Sequence, residues 1–431
     1  MNLLLISVYI TAYFGLFVSA FILLTYFGNR NKIKDPIPKR FPFVSFIIPV
    51  FNEENSIGQT IKSLLKINYP KNKFEIIIVD DGSTDRTYDR IKKFESSRVR
   101  IFTKENGGCA NTVNFGLRKA KGEIIARFDA DTVLDKNSLM KMVGYFEDNN
   151  VMAVTSSLNV LNHRGFMQRI QWAEYFMGIF LRKMFDLNNA IHIIPGPLSV
   201  YRAEYFAKHG GFDEENITED TEMAMRMQSY GYKIKNSIGA MVYTITPEKF
   251  SQLNMQRTRW YTGFMRNSWD YNHLFNAKRK SDLSMLILPA SYITILLTFF
   301  SLFVLFYYNL KFVYNGLVRL SVTGFDVSSL ITNIKLRTIM ELAYNYATSQ
   351  YVFFLIAGVL LMASFFIIAK YYSGEKRGIF SAFVLFTIFY FFFFAFWWIL
   401  SIFYMITGKE IKWGKNSYTR GRMLKKHEHN T

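Results

Sequence analysis

Carboxylates stand at three points of the chain where chemistry could use them. Asp80 and Asp81 end the apolar run EIIIVDD and lead into Gly82 and Ser83. Asp129 and Asp131 stand two apart in FDAD, at the end of EIIARFD. Thr218, Glu219 and Asp220 precede the helical stretch MAMRMQSYG. Two carboxylates as close as 129 and 131 repel unless a cation sits between them. Hard oxygen ligands with open positions suit Mg²⁺ or Mn²⁺ bridged to a substrate diphosphate. Asp220 can act as a general base, although a helix N-terminus lowers a carboxylate pKa and weakens its basicity. Farther on, Gln256, Arg259 and Trp260 share one face of a helix in QRTRW. An Arg there can neutralise a leaving diphosphate and a Trp can stack on a sugar ring.

Each motif also has a plainer reading. Asp, Gly and Ser at 80–83 suit a strand-ending turn. Thr218 suits an N-cap, with Glu219 and Asp220 favourable in the first turn. QRTRW suits a basic amphipathic helix at a membrane surface. What weighs for chemistry is that two acidic pairs fall at strand ends of one sheet.

The elements that must position these residues are read from the pattern between 41 and 250. Short β-branched runs at 43–51, 75–81, 99–104, 123–129 and 151–156 alternate with helical stretches such as 56–66 and 110–119. This predicts a mostly parallel α/β sheet. Ligands of such sheets collect at the carboxyl ends of the strands, where the acidic motifs lie.

The rest of the chain is apolar. Half of its 431 residues are hydrophobic and 17% aromatic. Residues 3–27 carry no charge and are long enough to cross a bilayer; a cleaved signal peptide fits poorly, because no Lys or Arg precedes the run. Three further apolar stretches lie at 283–308, 351–372 and 379–407, and the segment 309–350 between them is expected to be loop or interfacial helix. One cysteine excludes an internal disulfide framework, and six His make a Cys/His zinc module improbable.

The net charge of +19 invites a nucleic-acid reading. Much of it stands beside the apolar stretches instead. Residues 28–40 hold five basic residues and one Asp, and residues 408–431 hold seven Lys or Arg and two Glu. That placement fits anionic headgroups and a cytoplasmic orientation, not nucleic acid. The crossings do not close, however. Three late spans starting in the cytoplasm put the basic tail outside, where positive-inside reasoning does not want it, so either one late stretch is re-entrant or interfacial or 309–350 holds a further crossing.

With PVFNEE (49–54), DDGS (80–83), DAD (129–131), TED (218–220) and QRTRW (256–260) in this order, the sequence resembles the processive family-2 membrane glycosyltransferases, the cellulose, chitin, hyaluronan and poly-N-acetylglucosamine synthases. GPLSVYR (196–202) looks like the acceptor-side segment of chitin and hyaluronan synthases. The resemblance implies a GT-A-type, Rossmann-like α/β catalytic domain at 41–250, cytoplasmic and flanked by transmembrane helices in a multi-pass plasma-membrane protein. Residues 1–27 would be the first helix, 28–40 a basic linker, 251–281 an interfacial segment and 282–407 the C-terminal membrane region.

The resemblance also implies roles. Asn52, Glu53, Asp80 and Asp81 would serve the nucleotide, Asp129 and Asp131 the diphosphate, and Asp131 most directly the metal. Asp220, beside Glu219, would deprotonate the acceptor hydroxyl in an inverting displacement. Gln256 and Arg259 would contact the diphosphate, Trp260 the acceptor sugar, and Gly196, Tyr201 and Arg202 the acceptor side. KWGKNSYTRG (412–421) is similar to the gating segment of related synthases, through Trp413, Thr419 and Arg420. The expected partners are a nucleotide-sugar donor, best UDP-N-acetylglucosamine, a growing glycan and the lipid bilayer. The single span before the catalytic domain leaves a role for a second copy or accessory membrane subunits. The rival reading is a non-processive transferase that adds one sugar to a lipid or polyprenyl carrier.

Overall fold

The computed structural model describes residues 3–276, 279, 281–322, 340, 344, 349–376, 378–409, 411–413 and 416–418. Its residues fall into two compact units, Met1–Leu24 with Pro289–Phe365, and Thr25–Leu288 with Phe366–Thr431.

The second unit is built on one eight-stranded sheet. Its strands are β1 (Val44–Val50), β2 (Phe74–Asp80), β3 (Val99–Thr103), β4 (Ile124–Phe128), β5 (Thr132–Leu134), β6 (Val151–Val160), β7 (Leu198–Arg202) and β8 (Lys233–Thr244), in the spatial order β3-β2-β1-β4-β7-β6-β8-β5. The pairs β1–β2, β2–β3, β1–β4 and β6–β8 are parallel, while β4–β7, β6–β7 and β5–β8 are antiparallel. The mostly parallel expectation holds for the first half. It gives way at β7, which returns beside β4 in the opposite direction.

β1, β2 and β4 are buried along almost their whole length, with helices on both faces, as their unbroken apolar runs require. Helices α2 (Ile57–Leu65), α3 (Thr87–Lys92), α4 (Cys109–Leu117), α5 (Ser138–Val143), α6 (Phe166–Leu187), α7 (Ala203–His209) and α8 (Glu219–Ser229) complete the layers. α2 packs Ile57, Ile61 and Leu64 on one face of the sheet, in a core with Phe46, Ile48 and Ile78. On the other face Ala110 and Val113 of α4 pack with Ile47 and Ile125, together with Met223 and Met227 of α8.

α9 (Phe250–Asp270) carries QRTRW. Gly263 lets it come close to the start of α8: a Cβ there would stand 2.2 Å from Thr218 Oγ1.

Among the described residues four helices are long and apolar enough to cross a membrane: α1 (Leu3–Gly28), the helix Leu283–Val322, whose α-helical part is α10 (Leu288–Val322), then α11 (Gln350–Ser373) and α12 (Phe380–Thr407). The apolar runs at 3–27, 351–372 and 379–407 match these bounds closely. The run at 283–308 does not. The helix continues to Val322, because 309–322 holds no proline and only Lys311 and Arg319 as charges, so nothing stops it in the stretch expected to be loop or interfacial helix. A short hairpin, β9 (Ile411–Trp413) with β10 (Asn416–Tyr418), follows α12.

Candidate active site

The carboxyl ends of β1 and β4, the loop after β3 and the start of α8 enclose a cavity of about 460 Å³. Its lining includes Glu53, Asp81, Asn106, Cys109, Arg127, Asp129, Asp131, Ile217, Glu219 and Arg259. Residues more than 200 positions apart in sequence thus face one space.

Asp81 closes one wall. Its carboxylate accepts hydrogen bonds from the backbone N–H groups of Gly107 and Gly108, both at 2.9 Å, and from Lys104 Nζ at 2.7 Å. Asp80 is turned into the β2 turn, where Oδ1 accepts from Ser83 N–H at 3.2 Å. Asn52, at φ +53°, accepts from Thr84 N–H through Oδ1 at 2.8 Å, and its own N–H donates to Ser83 Oγ at 3.0 Å. Asp80 and Asn52 therefore join two loops at the rim and are not among the cavity-lining residues. The turn reading of DDGS and a place beside the cavity are both realised.

Asp129 and Asp131 project from the end of β4. Burial pushes the Asp131 carboxyl up to about 7, and the charges of Asp129 and Glu53 push the same way. Burial likewise raises Glu53, with Asp129 and Asp85 adding to it against a hydrogen bond from Ser56. Burial raises Asp129 too, while Arg127 opposes the rise. This is a negatively charged pocket short of a counter-ion at Asp131, and its donors are hard oxygens. Among the described residues no three His, Cys, Asp or Glu side chains form a cage. The donor set therefore suits a divalent ion held by one or two carboxylates, with other ligands coming from substrate and water, as Mg²⁺ commonly is.

Arg127 was not anticipated from the sequence. It lies in the middle of β4 with its guanidinium beneath the cavity. Nη2 donates to Glu219 Oε1 at 2.7 Å, and Nε lies 3.9 Å from Asp129 Oδ1. A signal was present: a lone Arg in an apolar strand, two residues before Asp129 and so on the same face.

Glu219 and Asp220 are driven apart. Burial would raise Glu219, but Arg127 and Arg259 more than offset it and hold this carboxyl below its usual range. Asp220 is pushed up to about 6, first by burial and then by the charge of Glu219, with Arg127 and Arg259 opposing. The weakening expected at a helix N-terminus is outweighed. Nor does Thr218 cap α8 with its side chain; Thr218 Oγ1 accepts from Asn267 Nδ2 of α9 at 3.0 Å.

Arg259 reaches the cavity from α9 and donates through Nη1 to Ile217 O at 2.8 Å. Asp220, Gln256 and Trp260 are half-buried and outside the cavity lining, Asp220 directly after the lining residue Glu219. Trp260 is covered by the Arg257 guanidinium, 4.1 Å from its ring centroid.

GPLSVYR divides by position. Gly196 abuts the site so closely that a Cβ would stand 2.8 Å from Asp129 Oδ2 and 3.1 Å from Arg127 Nη2. Tyr201 is buried among Phe206 and Phe212. Arg202 lies at the far end of β7, opposite Ile124, and donates to the carbonyls of Phe146 and Asp148. The structure does not bring Tyr201 or Arg202 to the cavity. Cys109 lines it, but burial pushes its thiol up to about 12, which removes it as a nucleophile. Thr419 and Arg420 fall outside the described residues, and for Trp413 only the backbone of β9 is described.

Residues 45–210 match the family described as Glycosyl transferase family 2. The match runs from β1 to β7. The chain is 31% identical over 240 residues to a poly-beta-1,6-N-acetyl-D-glucosamine synthase of Staphylococcus aureus, covering 54% of this chain and 58% of that one. It is 30% identical over 250 residues to the synthase of the same name from Staphylococcus epidermidis, with 56% and 60% covered. The chain thus spans less than two thirds of the length of these relatives. Its fold matches a mannosyltransferase from Pyrobaculum calidifontis solved with GDP-Man and Mn²⁺, at a TM-score of 0.53 and 20% identity, covering 88% of this chain and 100% of that one. The sheet and its flanking helices are of the GT-A type. Asp129, Asp131, Gly196 and the whole of the β1–β4 rim lie within the matched glycosyltransferase segment, whereas Glu219, Asp220 and Arg259 lie beyond its end.

Proposed function

We propose that this protein is an inverting, processive glycosyltransferase that builds a β-linked polysaccharide from UDP-N-acetylglucosamine on the catalytic side of the membrane and passes it across. The observation that carries the transfer step is the divided pair at the head of α8: Glu219 fixed as a charge by Arg127, and Asp220 left with a pKa near the working pH of a base. The likeness to poly-beta-1,6-N-acetyl-D-glucosamine synthases supports the choice of sugar and of a polymer product.

In this reading the donor diphosphate enters beside Asp129, with Arg259 facing it across the cavity. Asp131 would hold Mg²⁺ or Mn²⁺, with Asp129 behind it, and the ion's chemistry is to neutralise charge on the leaving diphosphate. Asp81, bound to the amides of Gly107 and Gly108, shapes the wall where the nucleotide base would rest. The acceptor hydroxyl approaches Asp220, whose carboxylate takes the proton as the hydroxyl oxygen attacks the anomeric carbon. Gln256 and Trp260 are assigned to the acceptor path. Trp260 keeps its ring orientation through Arg257 and can present its other face to a sugar.

Product length tests the polymer reading. Purified full-length protein supplied with labelled UDP-N-acetylglucosamine and Mn²⁺ should yield chains of many sugars, and products of one sugar on a lipid carrier would overturn processivity. In the same assay Trp260→Ala should shorten chains more than it slows donor hydrolysis. Equal loss of both would remove Trp260 from the acceptor path.

A further inference from the structure

By hydropathy alone α12 is a fourth crossing, and four crossings leave the basic tail on the side opposite the catalytic domain. The contacts of α12 contradict that count. Just before the helix, Glu375 Oε2 accepts a hydrogen bond from Asn159 Nδ2 at 2.9 Å, at the end of β6. Just after it, Ile411 packs on Ile217, beside the cavity, with Tyr404 of α12 against the same pair. Asn159 and Ile217 both belong to the sheet domain. In between, Tyr390 Oη donates to Glu174 Oε1 at 3.2 Å, Trp398 meets Tyr261 at 4.7 Å between ring centroids, and Ser401 Oγ donates to Thr258 O at 3.5 Å. The helix is held by one folded domain from end to end.

A helix of 28 residues is about 42 Å long at 1.5 Å per residue, and a bilayer core is about 30 Å thick. If α12 crossed, Asn159 and Ile217 would stand near opposite faces of the membrane, with the polar sheet between them inside it. That is excluded by the cost of burying such a sheet in hydrocarbon. The outward face of α12 says what covers it. Ile388, Phe392, Phe396, Ile399, Phe403 and Ile406 are exposed and recur at spacings of three and four, on the side opposite Tyr390, Trp398 and Ser401.

We propose that α12 does not cross the membrane but lies along the leaflet on the catalytic side, its Ile/Phe stripe among acyl chains and its other face on α6 and α9. Crossings by α1, α10 and α11 then return the chain to the side of residues 28–40. That is the side on which positive-inside reasoning wants the basic sequence 408–431. The proposal does not depend on which sugar is transferred, or on whether any is.

The test is a sidedness assay on the full chain. Cys109 is the only cysteine, so Cys109→Ser gives a background in which Lys71→Cys, exposed on the catalytic domain, and Lys409→Cys, exposed just after α12, are each unique. With a membrane-impermeant maleimide, both positions should label from the same side, and both switch together when the membrane is opened. Labelling of the two from opposite sides overturns the proposal. Should Cys109→Ser fail to fold, the same question is read on the unsubstituted chain. A C-terminal green fluorescent protein should fluoresce and a C-terminal alkaline phosphatase should be inactive in a bacterial host, as for the same reporters fused after residue 40. The reverse pattern at the C-terminus alone rejects it.

Discussion

Arg127 Nη2 and Glu219 Oε1 are 2.7 Å apart, and both side chains are almost wholly buried. This pair joins β4 to α8 and so ties the two acidic motifs that sequence places 90 residues apart. Breaking one partner of a buried ion pair commonly costs about 3–5 kcal/mol, because the other charge is left without compensation. Arg127→Gln should therefore lower the thermal midpoint of the detergent-purified protein, and Arg127→Lys should recover part of the loss. Arg127 also opposes the rise in the Asp220 pKa. In Arg127→Gln the acid limb of activity should move to higher pH, which a fault in packing alone would not produce.

The pH dependence of the unsubstituted enzyme follows from Asp220. A base must be ionised, and its pKa of about 6 lies above the ordinary 3.8. The kcat/KM for donor should rise with pH and level off above about pH 6. Stability runs the other way. Between about pH 4 and 6 the folded state holds more protons at this site than the unfolded chain, so this group's contribution to stability falls as pH rises through that window. Asp220→Asn should leave the thermal midpoint at pH 7 unchanged or higher while transfer is lost. A large drop in midpoint would mean that the carboxylate holds the fold together.

Gly196 is constrained by what lies against it. A methyl group 2.8 Å from Asp129 Oδ2 forces that carboxylate or the β7 end to move. Gly196→Ala should reduce kcat/KM for donor by about 10- to 100-fold, since displacements near 1 Å at a site have effects of that order. Retained activity would place the donor elsewhere.

Arg257 and Glu174 form a second buried pair, at 2.6 Å between α9 and α6. Burial raises the Glu174 carboxyl and Arg257 opposes it. Arg257→Met alone should destabilise by about 3–5 kcal/mol, and adding Glu174→Leu should restore much of this, because a well-packed apolar pair can replace a buried ionic one. Thermal unfolding of the single and double variants reads the coupling; additive losses would mean that the two charges do not depend on each other.

What was legible in the sequence divides along physical lines. The strand ends bearing Asp81, Asp129 and Asp131 were readable because apolar runs fix strands and turn residues fix their ends. β7 was not read as antiparallel, since register is set by neighbours that periodicity does not name. In GPLSVYR, Gly196 and Arg202 are six residues apart, which in a strand is roughly 20 Å; a motif read as one unit therefore has only one end at the site. Arg127 was passed over because a buried charge shows its purpose only when its partner from α8 is in place. α12 reads as a span because hydropathy reports composition and is blind to the surface a helix lies on.

The central claim is that Asp220 takes the acceptor proton in a sugar transfer that Asp129 and Asp131 support. The direct measurement is incorporation of labelled sugar by the purified full-length protein from UDP-N-acetylglucosamine with Mn²⁺, beside Asp220→Asn at matched expression. The unsubstituted protein should incorporate sugar, and the variant should fall by about 100- to 10,000-fold while still binding donor. Undiminished incorporation by Asp220→Asn would contradict it.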